Sequence, residues 1–186
     1  MDYPELYILR HGQTEWNLEG RMQGALNSPL TLQGIKDATR QGEILESRDL
    51  AGFTFFCSPQ ARAVQTAGIA LARIATDIHT DDRLREICVG DWSGLLRDDL
   101  PMPAAPDPYM AQYEIAPNGE GIASVEARCR SFLYDLKGPA VLVTHGVAGR
   151  ALRGLVVGAE ATEGTTIHGG QGCVYHLKNG VENLLT

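Results

Sequence analysis

The sequence predicts an α/β fold: a three-layer α/β/α sandwich with a mostly parallel central sheet and a small proline-rich cap segment. Short apolar runs suited to buried strands alternate with longer segments whose apolar residues recur at helical spacing, the pattern of parallel strands joined by crossover helices. Clusters carrying arginine or histidine directly follow such runs, at Arg10-His11-Gly12, Ser58 to Ala67 and Thr144-His145-Gly146. Right-handed crossovers bring the C-terminal ends of such strands to one edge of the sheet, where ligands bind.

Leu6-Tyr7-Ile8-Leu9 reads as a buried strand. Thr31 is a good N-cap, and Ile35, Ala38, Gly42 and Leu45 give the helix after it one apolar face. Phe53-Thr54-Phe55-Phe56-Cys57 is the next strand. Ser58 caps and Pro59 opens a helix whose Val64, Ala67, Leu71 and Ile74 share a face. Ile78-His79-Thr80 forms a short strand. Residues 97–118 carry Pro101, Pro103, Pro106, Pro108 and Pro117 and read as a surface loop or cap rather than core. Ser124 starts a helix with Val125, Cys129, Phe132, Leu133 and Leu136 on one side. Ala140-Val141-Leu142-Val143 is the most apolar strand, and the helix from about Val147 to Val157 stops at Gly158. Cys173–Leu177 and Val181–Leu185 flank Lys178-Asn179-Gly180, a hairpin signal. No repeat or linker divides the chain, so residues 1–186 are expected to form one domain.

A chain of 186 residues buries roughly 70% of its unfolded surface. Its 44% hydrophobic and 21% charged residues are those of a soluble globular protein. The net charge of -7 argues against nucleic acid or an anionic membrane as partner. A phosphate site must then be a local positive pocket in an acidic molecule. No apolar run approaches the roughly 18 residues of a membrane span. The acidic start Met1-Asp2-Tyr3-Pro4-Glu5 leads straight into a strand, so no secretory leader and a cytoplasmic location are expected. Cys57, Cys88, Cys129 and Cys173 lie far apart with no Cys-x-x-Cys pair, which fits reduced thiols rather than a metal site. A homodimer is compatible with the sequence, but no particular residue argues for one.

The converging clusters suit phosphoryl transfer. A neutral His11 imidazole is a nucleophile able to attack phosphorus and form a phosphohistidine. Arg10 and Arg62 offer planar forks for the equatorial oxygens, and His145, protonated when anion is bound, is a third donor. Amides at the start of the helix opened by Pro59, and of the one after Gly146, add partial positive charge. The leaving oxygen needs a proton, so a carboxyl group should stand opposite His11.

These residues resemble the histidine phosphatase superfamily, the branch holding cofactor-dependent phosphoglycerate mutase and many small bacterial phosphatases. The resemblance rests on Arg10-His11-Gly12-Gln13-Thr14-Glu15-Trp16-Asn17, Gly20-Arg21-Met22-Gln23-Gly24, Leu30-Thr31-Leu32-Gln33-Gly34 and the Ser58–Ala67 block. Leu84-Arg85-Glu86-Ile87, Gly90-Asp91-Trp92-Ser93-Gly94 and Thr144-His145-Gly146 extend it. It implies His11 as the phosphorylated nucleophile, an inner phosphate pocket of Arg10, Arg62 and His145, Glu86 as proton donor and Asn17 as a phosphate-side donor. Gly121 departs from the family's more usual serine, and Ser124 is expected to cap the next helix instead.

Other readings compete at single positions. Arg10 and Arg62 could be salt-bridged surface residues, Asn17 a turn cap, and Arg21 and Gln23 either substrate contacts beyond the phosphate or a solvated face. Asp81, Asp82 and Asp91 compete with Glu86 as the acid, which would need burial or like charge, such as Asp91, to be protonated near neutral pH. Trp16 and Trp92 are expected to pack, and His79, His168 and His176 to be structural or exposed.

The leading expectation is a phosphomonoesterase acting on a small phosphate ester, needing no metal or cofactor. A 2,3-bisphosphoglycerate-dependent phosphoglycerate mutase is the alternative within the same chemistry, and a catalytically idle phospho-ligand-binding domain the alternative outside it. Arg97 is the sole cation between Ile87 and Ala123, whereas Asp91, Asp98, Asp99, Asp107, Glu114 and Glu120 lie in that stretch. An acidic cover of that kind is a poor clamp for phosphoglycerate.

Overall fold

The computed structural model describes residues 3–158 and 170–186. In chain order the elements are β1 (Leu6–Arg10), α1 (Glu15–Leu18), α2 (Leu32–Glu46), β2 (Thr54–Cys57), α3 (Ala61–Ala70), β3 (His79–Thr80), α4 (Pro108–Glu114), α5 (Ile122–Asp135), β4 (Ala140–Thr144), α6 (Gly146–Val157), β5 (Val174–Lys178) and β6 (Val181–Leu185). Short 3-10 turns at Asp82–Leu84, Gly90–Trp92 and Arg97–Asp99 lie between β3 and α4.

Successive side chains of a strand point to opposite faces, and here the two faces define two cores. Leu6, Ile8, Ala140 and Leu142 pack with Val125, Cys129, Phe132, Ala148 and Leu152 of α5 and α6. Tyr7, Leu9, Val141 and Val143 pack with Leu45, Ala63 and Ala67 of α2 and α3. A sheet apolar on both faces requires helices on both, which is the three-layer sandwich. The strand order is β3-β2-β4-β1-β5-β6. The first four strands run parallel, whereas β5 and β6 are antiparallel to their neighbours. Asn179 and Gly180 both have positive φ, 53° and 73°, as a tight primed hairpin turn requires.

The register aligns the ends that matter. Arg10 pairs with Thr144 and Cys57 with Val143, so the next residues, His11, His145 and Ser58, emerge side by side. Backbone bonds from His11 to Thr144 (3.0 Å) and from Ser58 to Val143 (2.9 Å) carry the pairing one step past the strands. Gly12 then lets the chain turn against α2, since a Cβ there would stand 2.1 Å from the Gly34 carbonyl oxygen.

Several sequence expectations are corrected. The helix after β2 starts at Ala61 with Gln60 as N-cap, so Pro59 does not open it and Ser58 does not cap it. Val64 and Ile35 are exposed rather than part of the apolar faces, which centre on Ala63–Ala67–Ala70 and Ala38–Leu45. Helix α5 begins at Ile122, with Gly121 at φ 75° as its N-cap. Ser124 lies exposed inside that helix, and the Glu114 carboxylate accepts the Ile122 N–H at 2.8 Å instead. The proline-rich stretch is not all surface: α4 buries Met110 and Gln112 beneath the cap.

The expectations for the tryptophans and for His79 and His176 agree with the structure. Trp92 is in the core, and Gly94 packs against the Trp16 ring. His79 lies against Phe56, while His176 stacks on Tyr7 and meets Glu5 at 2.7 Å. His168 lies outside the described residues. All four cysteines are free thiols. Among the described residues no helix is long and apolar enough to cross a membrane.

Candidate active site

At the C-terminal strand edge a cavity of about 180 Å³ opens over the end of β1. Arg10, His11, Asn17, Arg21, Gln23, Arg62 and Glu86 line it, so seven of the residues singled out in the sequence meet there. Gly146 borders an adjoining cleft together with Arg10 and Glu86.

His11 is 3% exposed. Its Nδ1 lies 2.8 Å from the Gly12 carbonyl, which only accepts, so Nδ1 carries the proton. The lone pair is then on Nε2, which receives the Arg62 Nε–H at 3.2 Å. Burial first, then the charges of Arg10 and Arg62, holds the His11 pKa well below 6.5, so the ring is neutral at pH 7. That is the protonation state a nitrogen nucleophile needs.

The His145 ring stands edge-on to that of His11, with 5.2 Å between ring centres. Its Nε2 is 2.7 Å from Ser58 Oγ. Its Nδ1 is buried and has no hydrogen-bond partner among the described residues. Burial, then Arg62, His11 and Arg10, pushes this pKa well below 6.5 too, so His145 is neutral at pH 7 rather than a standing cation.

Arg62, 1% exposed, is more committed than its sequence position suggests. Its Nη1 donates to the Leu26 carbonyl and to Asn27 Oδ1, and its Nη2 to the Gly24 carbonyl at 2.9 Å. Burial lowers its pKa to about 10 against the pull of Glu86, which leaves it charged at pH 7. In this geometry Arg62 brings charge and one N–H to His11, while its fork holds the turn at residues 24–27.

Glu86 is the acidic candidate in the cavity. Its Oε1 accepts the amides of Ile87, Val147 and Ala148, each at 3.1 Å. The first amides of α6 therefore hold Glu86 rather than standing ready for phosphate, which corrects that part of the sequence reading. The competing carboxylates lie elsewhere: Asp81 is paired with Arg83, Asp82 faces Arg85, and Asp91 accepts from Asn118. Asp91 thus supplies no direct partner to Glu86.

Asn17 and Thr14 form a capping box at α1, and Gln171 also donates to Asn17 Oδ1 at 3.2 Å. Asn17 is both a cap and a cavity wall. Gln23 donates to Thr14 Oγ1 at 2.7 Å, and Arg21 binds Glu19 and the Gly94 carbonyl. Both are structural links as well as lining residues.

Sequence reasoning missed supporting residues. Gln60 Oε1 accepts the Glu86 backbone N–H at 2.6 Å, and its Nε2 donates to the Gly24 carbonyl that also receives Arg62. Gln171 reaches back to the His11 carbonyl at 3.1 Å. Arg97 and Tyr113 complete the wall. A lone cation in an acidic stretch was a signal for Arg97, whereas nothing local marks Gln60 or Gln171.

Two adjacent strand-end histidines framed by arginines, with a carboxylate lining the same cavity as His11, define a class of phosphoryl-transfer site. The chain belongs to the histidine phosphatase superfamily (branch 1), whose family model matches residues 6–182. It is 31% identical to a probable phosphoglycerate mutase, GpmB, of Proteus mirabilis over 84% of this chain and 76% of the relative. It is 34% identical to the glucosyl-3-phosphoglycerate phosphatase of Mycobacterium tuberculosis over 76% of this chain and 70% of the relative. Among solved structures it is similar to Bacillus stearothermophilus YhfR, with TM-score 0.74 and 31% identity over 97% of this chain and 94% of that one. A putative alpha-ribazole-5'-P phosphatase of Escherichia coli gives 0.79 at 25% identity, over 98% and 95%. Phosphatases and mutases thus both stand among its relatives.

Proposed function

We propose that the protein hydrolyses a small phosphate monoester through a phosphohistidine on His11. The observation that carries this reading is the His11 tautomer. Gly12 fixes the proton on Nδ1, leaving the Nε2 lone pair in a cavity shared with a carboxylate.

In the first step Nε2 attacks phosphorus and the ester P–O bond breaks. The Glu86 carboxyl gives its proton to the departing alkoxide, so a neutral alcohol leaves. In the second step Glu86 takes a proton from water, which attacks phosphorus. The N–P bond breaks and its electrons return to Nε2, releasing phosphate and restoring the acid. Arg10 stabilises charge on the equatorial oxygens together with Arg62, whose Nε–H passes from His11 Nε2 to a phosphate oxygen as that lone pair is used. Asn17, with Oδ1 held by Thr14 and Gln171, offers its Nδ2 group to phosphate. The Gly146 backbone closes the site beside Arg10 and Glu86. In this reading the Ser58 hydroxyl is the donor to His145 Nε2, and the buried Nδ1 then carries the proton that a phosphate oxygen accepts. Arg21 and Gln23 hold the outer wall. No metal or organic cofactor enters these steps, and activity is expected to survive exhaustive chelation.

Hydrolysis is favoured over mutase chemistry by the cover. A mutase must exclude water while it grips a second anionic group. Arg97 gives Nη1 to Gln112 (2.6 Å) and Nη2 to the Tyr113 hydroxyl (2.6 Å), while Arg150 pairs with Asp107 at 2.9 Å. Supplying 3-phosphoglycerate with catalytic 2,3-bisphosphoglycerate tests the choice. Phosphate release without appreciable 2-phosphoglycerate is expected, and rapid isomerisation with negligible phosphate would establish the mutase instead.

A further inference from the structure

Beside the phosphate cavity, and sharing Arg10, Glu86, Arg97 and Tyr113 with it, lies a cleft of about 270 Å³. Glu86 borders both spaces, so the oxygen it protonates stands at their junction, and the remainder of the alcohol extends into the cleft. The occupant of this cleft therefore sets the substrate class.

One wall is an aromatic stack. Tyr109 and Tyr113 stand four positions apart on α4 and so share a helix face. The Arg97 guanidinium lies 5.6 Å from the Tyr109 ring centre and 5.1 Å from that of Tyr113. Tyr109 is 60% exposed and lines the cleft, so its ring is open to a flat group bound there. Met110 and Val147 add apolar surface. Asp107 at the start of α4 pairs with Arg150 on α6 at 2.9 Å, so those two charges offset each other at the cleft. Arg97 is hydrogen-bonded through both terminal nitrogens and lies over two rings, which holds the tyrosine wall in place.

We infer that the cleft takes a flat-ringed alcohol portion of a phosphate monoester. This rests on the hydrolase reading above. Stacking on Tyr109 supplies the affinity.

Benzyl phosphate and ethyl phosphate test it, because their alcohols are similarly poor leaving groups and differ in the ring. Benzyl phosphate is expected to show kcat/KM about tenfold above ethyl phosphate, the scale of one aromatic contact with its buried area. Tyr109→Ala should bring the benzyl-to-ethyl ratio towards one, and Tyr109→Phe should retain it. Calorimetric titration of both esters into His11→Ala reads the same preference without turnover. Turnover with no ring preference, or a ratio unchanged in Tyr109→Ala, would overturn the subsite. Binding preference without turnover of any ester would overturn the hydrolase reading and uphold the subsite.

Discussion

Ser58 Oγ lies 2.7 Å from His145 Nε2 and accepts the Gln60 N–H, so a serine at the end of one strand aims the histidine at the end of the next. The contact fixes the orientation of the His145 ring, and in the proposed mechanism it leaves Nδ1 for the phosphate. Ser58→Ala should lower kcat about tenfold or more through loss of one buried orienting bond, with KM changed less. Ser58→Thr, which keeps the hydroxyl, should restore part of the rate. Steady-state kinetics of the pair checks this. Equal rates in wild type and Ser58→Ala would reduce the contact to packing.

Arg62→Ala should lose on the order of 3 kcal/mol of transition-state stabilisation, a hundredfold or more in rate. Arg62→Lys should rescue poorly, because an ammonium cannot reach His11 Nε2 and the carbonyls of Gly24 and Leu26 together. Both variants should also lose stability, since those carbonyls forfeit a charged donor. Rates and denaturation midpoints would show it. An unchanged rate in both places Arg62 outside the chemistry.

Acid should weaken the fold through His11 and His145. Both are held well below 6.5 in the folded chain, by burial first and by the neighbouring arginines next, and return to about 6.5 on unfolding. Above that pH both states are neutral and the pair contributes nothing. Below it the unfolded chain binds protons that the folded chain does not, so stability falls as pH falls. The limiting slope is about 1.4 kcal/mol per pH unit for each histidine. Denaturant unfolding at pH 7.5, 6.5 and 5.5 should give a shallower acid loss in His145→Ala than in wild type, the carboxylates being common to both. Parallel curves would mean that His145 titrates alike folded and unfolded.

The strands and inner site were legible because each signal is local. An apolar run followed by Arg-His-Gly or Thr-His-Gly announces both a buried strand and what leaves it. Ser58 was misread because Ser-Pro before a helical pattern looks the same whether the serine caps the helix or, as here, serves a histidine 87 positions away. Helix α4 was hidden by its flanking prolines, although Asp107 caps it and Pro108 occupies its first turn. Gln60 and Gln171 act through side-chain bonds across 26 and 160 positions, and no local pattern encodes such partners. Ile35 and Val64 fit the helical period but fall at the rim of faces whose buried centres are alanine and glycine.

The central claim is a phosphoryl group on His11 Nε2, and trapping it is the most direct test. The protein is mixed with a phosphate monoester, quenched within the first turnover in alkali, and digested for mass spectrometry. Acid-labile, base-stable phosphate should appear on His11 at a substantial fraction of sites and decay as free phosphate accumulates. His11→Ala, with its circular dichroism unchanged, should show neither phosphoenzyme nor turnover. Steady release of phosphate with no modified His11, persisting in His11→Ala, would contradict the account.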